Sequence, residues 1–135
     1  MIEYLYNAEK IQPEQRHGFF VGWPNPPSPE AHLRLLINSG RIVLALDPTN
    51  NKIVGFITAI TDNVLAAYIP LLEVLPEYQK QKIGATLVNK MLEQLKEFYA
   101  VDLLCDEDLQ PYYERLGMRR ATGLFTRNYD RQSGA

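Results

Sequence analysis

Leu72-Glu73-Val74-Leu75-Pro76-Glu77-Tyr78-Gln79-Lys80-Gln81-Lys82-Ile83-Gly84-Ala85 is the stretch whose reading decides the fold. It begins inside Val64–Leu75, a run rich in branched and aromatic residues, and it ends where Ile83, Leu87, Met91, Leu95 and Phe98 start to recur at helical spacing. Val101–Cys105 is a short apolar strand directly afterwards. A strand, a helix and a strand joined this closely form a right-handed crossover with the two strands parallel. The turn between the first strand and the helix aims several backbone N–H groups, reinforced by the helix dipole, at whatever sits above the strand's carboxyl end. Lys80 and Lys82 add positive charge, so the turn has the character and scale of a pyrophosphate site. The bland alternative is a solvated turn in which Gly84 serves only close packing.

Upstream, Met1–Tyr6 alternates as a first strand and Ala8–Phe20 carries a weak helical pattern. The prolines of Val21–Pro29 exclude regular structure and stiffen a loop. Ser28 is placed to cap a helix with Pro29 at its first position and Leu33, Leu36 and Ile37 as its buried stripe, up to Gly40. Arg41–Asp47, Ile53–Asp62 and Val64–Leu75 then form an antiparallel meander broken at Asp47–Asn51 and Asp62-Asn63. Downstream, Asp106–Leu116 reads as a short helix closed by Gly117, Met118–Tyr129 as strands around Thr122-Gly123, and Arg131–Ala135 as a frayed tail. The expected domain therefore spans 1–130.

A chain of 135 residues with 46% hydrophobic and 22% charged residues fits one compact domain. Its formal net charge of −2 gives no basic field for nucleic acid, so any anion must be held locally. No apolar stretch is long enough for a membrane span. A single cysteine, Cys105, and a start without a basic n-region point to a cytoplasmic address. His17 and His32 lack a metal-ligand constellation and read as surface residues, and no metal is implied.

The opening stretch resembles motif A of the GNAT superfamily of acyl-CoA-dependent N-acyltransferases, written Gln/Arg-x-x-Gly-x-Gly/Ala. Gln79, Ile83 and Gly84 match it, while Lys82 stands where the family usually has its first glycine. A side chain there narrows the approach of a pyrophosphate, although its backbone N–H survives and its ammonium could compensate. Pro111-Tyr112-Tyr113-Glu114-Arg115-Leu116-Gly117-Met118 is similar to the family's second signature, Phe-Tyr-Glu-Lys-Leu-Gly-Phe. With the order of elements from Met1 to about Tyr129, the likeness covers nearly the whole chain. It implies an α+β fold: a central mixed, mostly antiparallel sheet with parallel, splayed strands 4 and 5, flanked by helices. It also implies acetyl-CoA as co-substrate, a primary amine of a small molecule or peptide as acceptor, and transfer by direct attack. A homodimer is compatible with the pattern. The alternative from a different class is a catalytically idle acyl-CoA-binding or regulatory module.

By the same resemblance, backbone groups of Leu72 and Val74 bond the pantetheine. The amides of Gln79, Lys80, Gln81, Lys82, Ile83, Gly84 and Ala85 cradle the phosphates, and Asp106 falls where many members place an asparagine that touches the cofactor. Asp106 serves otherwise as a helix N-cap. Tyr113 occupies the position that commonly protonates the departing thiolate, or else only packs its helix. Glu73 interrupts an apolar strand, so it faces either a cleft, where it holds or deprotonates the amine, or solvent. Tyr68 lies where some members carry a catalytic carboxylate, so a base is absent there. Phe20 and Trp23, with Phe19, fall in the region that forms the acceptor wall, and they read equally as core. Cys105 is a small buried hydrophobe rather than a nucleophile.

Overall fold

A computed structural model describes residues 1–135. Five strands, β1 (Glu3–Leu5), β2 (Arg41–Asp47), β3 (Lys52–Thr61), β4 (Ala66–Val74) and β5 (Ala100–Leu103), form one sheet in sequence order, with helices α1 (Pro29–Asn38), α2 (Ile83–Gln94) and α3 (Gln110–Arg115). All neighbours are antiparallel except β4 and β5, which pair in parallel from Ala66 opposite Ala100 to Ile69 opposite Leu103. The mixed sheet and its crossover are thus as the sequence predicts.

Sequence chemistry accounts for the element ends. Ser28 Oγ accepts from the Ala31 amide at 3.1 Å and Pro29 fills the first helical position of α1. In the β3–β4 turn, one oxygen of Asp62 accepts the amides of Val64, Leu65 and Ala66 at 2.8, 2.8 and 3.2 Å. Those bonds draw Val64 and Leu65 into the turn, so β4 starts at Ala66. α2 lies across the sheet, its Leu87, Val88 and Met91 fully buried with Val43, Leu44, Phe56 and Ile57. At Gly55 a Cβ would stand 3.1 Å from Leu87, so a glycine in β3 lets the helix settle closely.

Several expectations are corrected. Ala8–Phe20 is no α-helix, holding only a 3-10 turn at Pro13–Gln15. Pro13 lacks an amide hydrogen, and Gly18 and Phe20 take positive φ of 91° and 62°, which breaks any continuing helix. The buried face of α1 is Ala31, His32 and Leu36, whereas Ile37 is 65% exposed. His32 is therefore a core residue and only His17 lies at the surface. Met118–Tyr129 forms no strand: the Met118 amide donates to the Tyr113 carbonyl, and residues 119–127 make no backbone–backbone hydrogen bond. Residues 131–135, read as frayed, turn back so that Gln132 accepts from the Asn25 amide at 3.1 Å and Gly134 accepts from Arg34 at 3.4 Å.

Candidate active site

The site begins with a bulge. Thr58 faces Leu71 and Ile60 faces Tyr68, so β4 spends one residue more than β3 between these pairs, at Ile69-Pro70. Proline has no amide hydrogen to give to a ladder and belongs at such an irregularity. The consequence is a change of parity along β4. Before the bulge, Ala66 bonds toward β3, with its carbonyl accepting the Asp62 amide, and Leu65 faces β5 by accepting from Ala100. After it, Leu75 donates to Val54 at 2.8 Å, so by antiparallel alternation Glu73 and Leu71 also bond to β3. Leu72 and Val74 therefore turn their N–H and C=O to the other side, where β5 has already ended at Leu103. The split between the parallel strands leaves free backbone groups beside β4.

At the end of β4, Pro76–Tyr78 makes one 3-10 turn, and Lys80 and Lys82 adopt left-handed φ of 66° and 65° before α2 begins at Ile83. Lys82 is the N-cap residue of α2, and its side chain makes no capping bond. This explains why a glycine suits the position, since a Cβ in that region costs about 1–2 kcal/mol. The first amides of α2 have no carbonyl ahead of them and face outward near Lys80, Gln81 and Lys82, all exposed. Ile83 is buried, so it contributes its amide alone. Gln79 reaches back with its side-chain amide to the Val74 carbonyl at 3.0 Å. A Cβ on Gly84 would lie 3.0 Å from the Tyr112 hydroxyl, so the bare glycine makes room for α3 beside α2.

A clamp invisible in sequence fixes this turn. The Tyr78 hydroxyl donates to Asp47 at 2.7 Å and accepts from Asn50 at 3.1 Å, tying it to the β2–β3 turn. Bonds from Thr49 and then Tyr78 hold the Asp47 carboxyl below its usual range, and the Asp47 bond raises the Tyr78 phenol. Nothing in local spacing relates residues 31 positions apart.

Two clefts flank β4. One, of about 440 Å³, is lined by Phe20, Trp23, Leu72, Glu73, Val74 and Gln79 among others. There Glu73 accepts from the amides of Phe20 at 2.8 Å and Val21 at 3.3 Å, which secures the left-handed φ of Phe20 and holds the loop carrying Trp23. Phe20 is 5% exposed and Trp23 36%, their rings 4.9 Å apart, and both line this cleft, Phe20 from the core and Trp23 from its rim. The second cleft, of about 600 Å³, lies beside β5 and contains Tyr68, Cys105 and Tyr113 with part of the segment after Gly117. Glu73 and Tyr113 thus line different clefts. Burial, then the neighbouring Cys105 and Tyr112, push the Tyr113 phenol up to about 12. Burial and the carboxylates of Asp106 and Asp108 likewise keep the Cys105 thiol protonated. Asp106 lines neither cleft, and although it stands at an N-cap position its carboxylate makes no capping bond.

A sheet split by a bulge, with the N-terminus of a helix at its head, is an architecture this chain shares with solved acetyltransferases. The chain belongs to the Acetyltransferase (GNAT) family, whose profile matches residues 6–118. A candidate acetyltransferase from Deinococcus radiodurans R1 shares 44% identity, with a TM-score of 0.95 over 99% of this chain and 93% of that one. A GNAT-family acetyltransferase from Streptococcus pneumoniae TIGR4 shares 31% identity at a TM-score of 0.76, over 95% and 98% of the two chains. Among curated proteins, the chloroplastic GCN5-related N-acetyltransferase 3 of Arabidopsis thaliana is 35% identical over 63% of this chain and 39% of its own length. An uncharacterized N-acetyltransferase of Pyropia yezoensis is 26% identical over 72% of this chain and 58% of its own. The chain thus spans less than two thirds of the length of these curated relatives.

Proposed function

We propose that the chain, with residues 1–130 as one catalytic domain, transfers the acetyl group of acetyl-CoA to a primary amine of a small molecule or peptide by direct attack. The observation that supports this most is the parity change at Pro70, which leaves Leu72 and Val74 with outward N–H and C=O groups a few residues from the α2 terminus. Those are the contacts a pantetheine amide and a pyrophosphate need, at the two ends of one continuous path. When bound, acetyl-CoA supplies an activated thioester. The chain's own groups do the rest: Leu72 and Val74 hold the arm, with Gln79 swinging off Val74, and the amides from Gln79 to Ala85 with Lys80 and Lys82 take the phosphates.

In the first cleft, Glu73 and the Phe20–Trp23 loop give the acceptor amine an anionic contact against an aromatic wall. In the second, Tyr113 remains protonated throughout the working pH range. Its phenol at about 12 is roughly 3.5 units above an ordinary thiol. Complete proton transfer to a thiolate is then uphill by about 5 kcal/mol, so Tyr113 acts by hydrogen-bonding the departing sulfur as charge develops. Tyr68 completes that wall.

The second reading, an idle acyl-CoA-binding or regulatory module, draws on the fact that both Glu73 oxygens already accept from loop amides. Incubation with acetyl-CoA and a broad panel of amines, followed by free thiol, separates the two. Acceptor-dependent thiol release carries the enzyme; cofactor binding without turnover across the panel carries the module. A cytoplasmic site of action belongs to the same proposal. No helix is long and apolar enough to cross a membrane, and the Arabidopsis relative is named as chloroplastic.

A further inference from the structure

The chemistry of the first cleft narrows the acceptor. Eleven residues line it, and Glu73 is the one among them that carries a charge. Pro70 and Pro76 in the same wall bring no amide hydrogen. From the core to the rim runs a row of rings, with the centroids of Phe56 and Phe20 6.0 Å apart and those of Phe20 and Trp23 4.9 Å apart. A cleft of about 440 Å³ is at the small end of the range for small-molecule sites, and this one offers apolar surface and a single negative charge.

An anion finds no partner here. The Phe20 and Val21 amides already donate to Glu73, at 2.8 and 3.3 Å. Arg16 is 2% exposed, donates to the Pro29 carbonyl and stands outside the cleft lining, as do Lys80 and Lys82 on the phosphate turn. A carboxylate or phosphate carried in beside the amine would give up its hydration to meet apolar walls and the like charge of Glu73. A second ammonium would lose its hydration to the same walls. One ammonium is different. A carboxylate has about four lone-pair sites, the loop amides occupy one on each Glu73 oxygen, and the Trp23 ring in the same lining favours a cation.

We propose that the acceptor is a small amine with one positive charge on an apolar or aromatic body, and that Val21, Trp23 and Glu73 reject amines bearing a carboxylate, a phosphate or a second ammonium. The proposal rests on the acetyl-transfer reading for its chemistry and on the cleft for its selectivity. The amine nitrogen, freed of its extra proton, forms the C–N bond to the acetyl carbon. It then gives up one further proton, which leaves with the CoA sulfur as the C–S bond breaks. No part of that step needs a second charge on the acceptor.

Pairs of amines that differ by one charge test it: phenethylamine against phenylalanine, and pentylamine against the diamine of the same chain length. Thiol release from acetyl-CoA gives kcat/KM, and the fluorescence of Trp23, the chain's one tryptophan, gives amine binding in the presence of CoA. Phenethylamine is expected to exceed phenylalanine by at least about 10²-fold in kcat/KM and in affinity, and pentylamine to exceed the diamine by about tenfold. Val21, 59% exposed in the cleft lining, is the place to add the missing cation. Val21→Arg should shrink the preference for phenethylamine over phenylalanine at least about tenfold, and Val21→Gln, without the charge, should not. Phenylalanine or the diamine handled as well as its partner overturns the proposal, and so does an unchanged preference in Val21→Arg. A chain that neither binds nor acetylates any of these amines overturns it as well. If Trp23 titrations keep the expected order while no thiol is released, the class of amine stands and the acetyl-transfer reading is what fails.

Discussion

Acid should destabilise this protein through one residue, His32. Its side chain is 1% exposed, both ring nitrogens lack a hydrogen-bond partner, and the rings of Phe19, Phe20 and Phe56 lie 5.5, 5.1 and 4.5 Å away. Burial first, and the Arg16 guanidinium second, lower its pKa from 6.5 to about 4. Protonation would put a cation among aromatic rings beside another cation, so the folded state keeps the imidazole neutral. Between pH 6.5 and 4 the unfolded chain binds a proton that the folded chain refuses. Stability is therefore full above about 6.5, falls as the pH drops, and levels off below about 4. At pH 4 the unfolded histidine is charged and the folded one half charged, which amounts to a loss of about 3 kcal/mol, a large share of a typical domain's stability. For a chain of this size that is about 10 °C in Tm. The carboxyls held low, Asp47 and Asp62, start from 3.8, so most of their loss falls below this window and the part above pH 4 is common to wild type and variant. Urea melts of wild type and His32→Leu at constant ionic strength from pH 7 to 4 give the check. The variant's absolute stability changes with packing, but its slope across the window should flatten. Parallel curves for the two proteins would refute the buried, neutral histidine.

Lys82→Gly removes a left-handed strain of about 1–2 kcal/mol and returns about 0.5–1 through the freer unfolded chain, so urea melts should show a gain of about 0.5–1 kcal/mol. Titration calorimetry on the same variant should show weaker CoA binding with less salt dependence, since an ammonium at the phosphate site has gone; tighter binding would mark Lys82 as an obstruction. Glu73→Gln should depress kcat/KM for the amine more than it alters KM for acetyl-CoA, and unchanged kinetics across pH would leave Glu73 as a latch for the Phe20–Val21 amides alone. Tyr113→Phe should lower kcat by about 10²-fold with Tm near that of the wild type, because the ring is kept. The alkaline fall in wild-type rate belongs near 12, where the phenol ionises, and not near 10; a wild-type rate in the folded variant would make Tyr113 a packing residue.

Most of the scaffold was legible because its signals are local. β2 and the cap of α1 follow from branched residues between turn formers and from Ser28-Pro29, and the α2 period from Ile83 to Leu95 marks a face buried on the sheet. The expected helix over Ala8–Phe20 fails because Pro13 and the positive φ at Gly18 and Phe20 override a weak period. Pro70 inside an apolar strand was the readable sign of a bulge.

By itself, the sequence determined β2 to β5, α1 and α2, the parallel crossover and the Gln79–Gly84 turn, all of which depend on periodicity and on dihedral preferences of neighbouring residues. The likeness to an acyltransferase family rests instead on the two motifs at 79–84 and 111–118. Only the tertiary structure decided that Leu72 and Val74 face the split and that Glu73 latches the Phe20 loop. It also decided that Tyr78 is clamped by Asp47, that His32 is core, and that Met118–Tyr129 stands unpaired. Each of these rests on register between strands or on contacts between residues far apart in the chain, and a one-residue bulge is enough to reverse which groups face the site.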